Sequence, residues 1–214
     1  MTEGADRNFD RPPPLQDVGQ FVHRKIRPLQ QGYLANRSVE VAALAALRRA
    51  ATMAPGESPE AWDHTLQDLP STGWDSDAPS WNEQAAHTAI TLYAVHQQSR
   101  RIAVHVRGRG LGHAARRLIE HGASEEAVTR RFHSIGLAST AEARNFHLRA
   151  LITQLRGGGG RAPISLDYGL LADQLVWLQT RHADRVRLAW GREFVRSDRA
   201  QKTEEPIAET ENDL

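Results

Sequence analysis

Residues 80–98 read SWNEQAAHTAITLYAVHQQ, and this stretch decides the fold class. Ser80 followed three residues later by Glu83 is a capping box: the serine hydroxyl accepts from the third helical N–H, and the glutamate reaches back to the cap's own N–H. Ala86, Ala89, Ile90 and Tyr93 then recur at helical spacing, which predicts a long helix to about Gln98 with one apolar stripe. Toward the N-terminus the pattern repeats. Ser58-Pro59-Glu60 opens a short helix with a serine cap and proline in the first turn. Ser38 to Ala50 is rich in alanine and leucine and closes on Arg48-Arg49, where positive charge suits the carbonyl end of a helix. Residues 17–31 place Val18, Phe21, Val22, Ile26 and Leu29 on one face, with Pro28 as a bend.

Toward the C-terminus, a basic connector over 99–110 leads to a helix from Leu111 to His121 that stops at Gly122. Ser124-Glu125-Glu126 caps the next, to about Leu137, and Ser139-Thr140-Ala141-Glu142 reads as a second S-x-x-E box. The helix it opens turns Leu148, Leu151, Ile152 and Leu155 to the core and ends at a flexible run, Gly157–Gly160. Asp167 caps a further helix through Leu170, Leu171, Leu175 and Leu178, and Val186, Trp190, Phe194 and Val195 mark the last. Ile102 to Val106 alone alternates as a strand would. The predicted fold is all-α, a helical bundle of two packed sub-bundles over 15–122 and 123–196. A disordered lead-in over 1–14 precedes them and a disordered acidic tail over 197–214 follows.

The chain has 214 residues, 40% of them hydrophobic and 25% charged, which suits a soluble globular protein with a real core. No apolar run approaches the roughly 18 residues of a membrane span, and the N-terminus has neither a basic start nor an apolar stretch, so neither a membrane partner nor a secretory signal is expected. There are no cysteines, which excludes disulfides, thiolate metal sites and cysteine nucleophiles and makes a cytoplasmic address the default. The net charge of +1 hides a segregation: residues 57–77 carry six acids and no base, whereas residues 97–161 carry twelve arginines against four glutamates. An excess of this size marks a polyanion-binding surface, the alternative being a solvated helical face.

Specific chemistry is sparse. Gly108-Arg109-Gly110-Leu111-Gly112 precedes a helix, but it is neither a dinucleotide fingerprint nor a P-loop. What survives is a backbone anion site for one phosphate at the helix N-terminus, or a plain flexible loop. Ten histidines contain no H-E-x-x-H, so no metal site and no cofactor are expected. Asp167, Asp173 and Glu193 read as caps or solvent groups and His96 as a helix-end histidine, and no nucleophile stands beside a base, so no catalytic residue is assigned. The arginines carry the reading, because guanidinium binds phosphate bidentately. Only Phe132 and Phe146 are aromatic in 97–161, both at apolar-face positions, which points to phosphate contacts without base readout. Arg116 with Glu120 and Glu126 with Arg130 are also spaced as helix-supporting pairs. Residues 124–155 have the outline of a helix-turn-helix, a transcriptional regulator being the second reading, although Ala141, Glu142, Ala143 and Arg144 offer one guanine reader.

Ala46-Leu47-Arg48-Arg49-Ala50, Leu92 to Gln97, Gly110-Leu111-Gly112 with Arg116-Arg117-Leu118, Thr129-Arg130-Arg131-Phe132, Leu148-Arg149-Ala150-Leu151, Asp167 to Leu175 and Trp190-Gly191-Arg192-Glu193-Phe194 follow in order. Together, over about residues 36–196, they resemble the CasB family, the small subunit of the type I-E CRISPR surveillance complex Cascade. The resemblance implies an all-helical, non-enzymatic subunit. It implies that two copies pack head to tail against the other Cascade subunits, hold the crRNA–target hybrid and stabilise the displaced non-target DNA strand through a basic groove. Base pairing then carries the sequence choice. By motif position it implies nucleic-acid contacts from Arg48, Arg49, Arg130, Arg131 and Arg149, with Arg107 and Arg109 in the basic loop before the Leu-Gly motif; charge alone adds Arg100, Arg101, Arg116, Arg117 and Arg144.

Overall fold

The computed structural model describes residues 14–70, 77–158 and 164–196. The lead-in up to residue 13, the last glycines of the 157–160 run and the acidic tail lie outside the described residues. The elements are α1 (Asp17–Leu34), α2 (Ser38–Ala50), a 3-10 turn at Pro59–Ala61 running into α3 (Trp62–Thr65), α4 (Trp81–Gln97), α5 (Leu111–Glu120), α6 (Glu125–Leu137), α7 (Ala141–Gly157), α8 (Tyr168–Trp177) and α9 (Ala183–Val195). The fold is all-α.

The capping box opens α4: Ser80 Oγ accepts from Glu83 N at 3.3 Å, and Ser80 N donates to Glu83 Oε2 at 2.7 Å. The single-stripe expectation for this helix falls short. From Ala85 to Gln97 every residue except Thr88 is buried, because α1, α2, α7 and α8 all pack around it. Several of its polar residues find partners inside, while the Tyr93 hydroxyl is buried without a hydrogen-bond partner among the described residues. Thr91 donates to the His87 carbonyl at 2.7 Å, and Gln97 binds the connector through the Arg100 and Ile102 carbonyls and the Val104 N–H. One apolar core runs from Val18 to Trp190. It crosses the expected boundary at residue 122, because α8 lies against α1 and α4, while α9 lies against α5.

Two further expectations shift. Ser58 precedes the 3-10 turn but its side chain accepts no capping bond. The second S-x-x-E register slips by one: Thr140, not Ser139, caps α7 by accepting from Ala143 N at 3.1 Å. The alternating stretch Ile102–Val106 makes a single parallel bridge, His105 to Leu166. Leu166 N donates to Val104 O at 2.9 Å, and Val106 N donates to Leu166 O at 3.2 Å.

Of the acids expected as local caps or solvent groups, Asp167 does cap its own helix and Asp173 and Glu193 are instead long-range ties. Asp173 of α8 is 5% exposed and accepts from Gln16 N (2.8 Å) and Gly19 N (2.7 Å), so it caps α1. Glu193 of α9 accepts from Gly112 N at 3.1 Å and so caps α5. Burial pushes both carboxyls above their usual range, while the backbone donors pull the other way. Asp167 is fully buried; it caps α8 through Leu170 N (3.1 Å) and also accepts from Gly108 N (2.8 Å) and Arg107 Nε (2.9 Å).

Candidate nucleic-acid interface

The glycine loop loses its anion site in this arrangement. A Cβ at Gly110 would stand 2.2 Å from the Glu193 carboxylate, and one at Gly112 would stand 2.1 Å from the Trp190 carbonyl. The glycines let α9 close over the start of α5, and Glu193 already occupies the free N–H groups that a phosphate would use.

The twelve arginines expected to bind nucleic acid divide by what they face. Two turn inward. Arg107 is tied to buried Asp167. Arg144 is 6% exposed and donates through Nη2 to the Ala138 carbonyl at 2.8 Å, closing the α6–α7 turn. A helix-turn-helix regulator would therefore lack its one guanine reader at the start of α7. Four face carboxylates: Arg49 pairs with Glu60, Arg116 and Arg117 with Glu120 (3.3 and 3.0 Å), and Arg130 with Glu126 (3.1 Å). Exposed pairs of this kind are worth about 0–1 kcal/mol and open readily to a phosphate.

Arg101, Arg109, Arg131 and Arg149 have no carboxylate partner among the described residues. Arg109 approaches His113 Nε2 at 3.5 Å. Arg149 stands exposed on α7. Arg48 and Arg100 gather at the C-terminal end of α4 with a residue the resemblance did not single out, Arg156 of α7. The Arg156 Nη1 donates to Gln98 Oε1. Burial holds Arg48 below its ordinary pKa; Tyr33 opposes this, and Arg49 and Arg156 add to it. His96, beneath them, falls to about 3, through burial first and then Arg100 and Arg156. Three guanidinium groups from three elements thus crowd one corner, without a carboxylate among them in the described residues, and Arg48 Nη1 is buried there without a hydrogen-bond partner. Arg156 was visible in the sequence only as one more arginine in a basic segment.

Phe146 corrects the aromatic reading. Phe132 is buried, stacked at 4.8 Å on Phe194, but Phe146 is 72% exposed. It stands with Arg149 at a cavity of about 390 Å³ between the chain leaving α2 (Ala51–Pro55), α4 and α7.

The chain matches the family model described as CRISPR-associated protein Cse2 over residues 43–194. Among solved structures, CasB from Thermobifida fusca is 43% identical, with 85% of this chain and 99% of that one covered and a TM-score of 0.69. Two structures from Thermus thermophilus share the fold: a CRISPR-associated protein of the Cse2 family (23% identity, 86% and 98% covered, TM-score 0.60) and CasB (22%, 84% and 98%, TM-score 0.60). No curated protein sequence matches the chain. No helix among the described residues is long and apolar enough to cross a membrane.

Proposed function

Because the chain belongs to the Cse2 family of CRISPR-associated proteins, we propose that it is the small subunit of a type I-E Cascade complex and acts by binding, not by catalysis. It holds the crRNA–target hybrid and the displaced DNA strand by their phosphates, beside a second copy of itself and the other Cascade subunits. The carrying observation is the corner where Arg48, Arg100 and Arg156 meet without a carboxylate among the described residues. Like charges brought together repel unless an anion arrives, and guanidinium groups take phosphate oxygens two at a time. Arg101, Arg109, Arg131 and Arg149 extend the cationic surface with charge that no carboxylate among the described residues offsets, and Arg130 joins it when its exposed pair opens.

Such a surface reads charge, so the isolated chain binds single- and double-stranded oligonucleotides of any sequence with similar strength. Replacing Arg100 and Arg156 together by alanine is expected to lower affinity about tenfold at low salt and flatten the salt dependence by one to two phosphate contacts. Unchanged affinity and slope, in a variant with unchanged thermal stability, would remove this corner from the interface. A 10³-fold preference for one duplex sequence would return the regulator reading.

A further inference from the structure

We propose that the cavity between the chain leaving α2, the first half of α4 and the first half of α7 seats a single unstacked nucleobase that carries an exocyclic amine. The proposal rests on the nucleic-acid reading above and deepens it, adding one base contact to a surface otherwise argued from phosphates alone.

Four features of the cavity converge on that ligand. The first is a stacking face: Phe146 lines the cavity and is 72% exposed, so its ring is open to a flat ligand. The second is an anion partner at the correct offset. Arg149 lies three residues beyond Phe146 on α7, so the two side chains are neighbours on one helix face. A base on the ring leaves its own phosphate beside the guanidinium, which has no carboxylate partner among the described residues.

The third feature is a pair of acceptors left without donors. His87 is 2% exposed, and its Nε2 lies 3.1 Å from both the Ala50 and Met53 carbonyls. Two carbonyl oxygens require the ring proton on Nε2, so Nδ1 is left as an acceptor, and it is buried without a partner. Asn145 Oδ1 is likewise a buried acceptor without a partner, and the Glu142 carboxylate lines the same cavity. Buried acceptors left empty cost about 1–3 kcal/mol each, and a ligand amine offers the missing N–H groups. The fourth is the apolar part of the lining: Ala51, Met53, Ala54, Pro55 and Pro79, beside the polar Thr52, Gln84 and Thr88, give the apolar surround that a heterocycle needs. A planar ring, an attached anion and an amine occur together on one nucleotide.

The test compares three dodecamers of equal charge at pH 7.5 by fluorescence anisotropy: oligo-dC, oligo-dU and an abasic strand. Cytosine and uracil differ at ring position 4, amine against carbonyl, and at the neighbouring N3, acceptor against donor. The expected order is dC tightest, dU weaker by about fivefold or more, and the abasic strand weakest. Phe146→Ala, at an exposed position that leaves folding intact, is expected to bring the dC affinity down at least fivefold toward the abasic value. Equal binding of all three strands overturns the base seat while salt-dependent binding of each keeps the phosphate reading. No binding of any strand removes both. If Phe146→Ala leaves every oligonucleotide affinity unchanged yet keeps the chain out of its assembly, the face docks protein and the base seat is overturned.

Discussion

At the scale of single residues, the buried histidines make stability depend on pH. Tyr168 N donates to His105 Nδ1 at 3.1 Å, which fixes the His105 proton on Nε2; that N–H donates to His23 Nδ1 at 2.9 Å. The chain of bonds runs from the start of α8 through the connector to α1 and needs both rings neutral. Burial brings His105 down to about 4, with His23 and Arg107 adding to the effect and Asp167 opposing it. His23 is lowered too, by burial and then Arg107 and Arg27, again against Asp167. His96 falls to about 3 beneath Arg100 and Arg156, and its Nδ1 bonds the Tyr168 hydroxyl at 2.9 Å. A histidine whose folded pKa is depressed binds its proton more readily when unfolded, so stability is lost as pH falls below about 6.5, at about 1.4 kcal/mol per pH unit for each group. For His96 and His105 together, the step from pH 6.5 to pH 5 is expected to cost roughly 3 kcal/mol. Asp173 and Glu193, raised by burial, work in the opposite sense as their carboxyls protonate. Urea midpoints that fall steadily from pH 7 to pH 5 are the expected result; a flat profile refutes it. None of this was readable from the sequence, in which His96 is a helix-end histidine: its burial comes from α8, which lies more than seventy residues away in the chain.

At the scale of elements, the beginnings of α1 and α5 are held by side chains from other helices. Asp173 supplies both its oxygens to the first turn of α1, so Asp173→Ala leaves the buried Gly19 N–H and the part-buried Gln16 N–H without acceptors. A loss of about 2–4 kcal/mol is expected, and Asp173→Asn, which keeps one acceptor, loses about half of that. Gly112→Ala drives a Cβ into the Trp190 carbonyl and parts α9 from α5, which is expected to lower the melting temperature by about 6–12 °C, the equivalent of roughly 3 kcal/mol. A melting temperature within about 2 °C of the parent would show that α9 shifts freely on α5. The elements themselves were legible where their signals are local. Ser80 and Glu83 announce α4, Ser124 announces α6, and Ser38 to Ala50 bounds α2 to the residue, because capping and periodicity depend on neighbours in the chain. Glycines 110 and 112 were legible as exceptional but not as contacts. What they meet is α9, some eighty residues on, and only the packed molecule shows that the vacant helix start is filled by Glu193.

At the scale of the whole molecule, the segregated charge has to be reduced to what a polyanion can reach. Residues 97–161 carry twelve arginines, but Arg107 and Arg144 are spent on the fold, and Arg116, Arg117 and Arg130 face carboxylates. Arg161 lies outside the described residues; among the described ones Arg100, Arg101, Arg109, Arg131, Arg149 and Arg156 remain in that span, and Arg48 joins them from α2. Counterion release makes the logarithm of affinity fall with the logarithm of salt at about 0.7 per neutralised phosphate on a single strand and about 0.9 on a duplex. If about four to six of these groups engage at once, the single-strand slope is expected near −3 to −4, against about −8 if all the arginines of the segment took part. Anisotropy titrations from about 50 to 300 mM salt separate the two. A slope near −8 would mean that the inward-facing and paired arginines turn outward on binding. A slope shallower than about −1 would mean that the cationic groups lie on faces one strand cannot span, and the surface would then have to meet acidic faces of partner subunits.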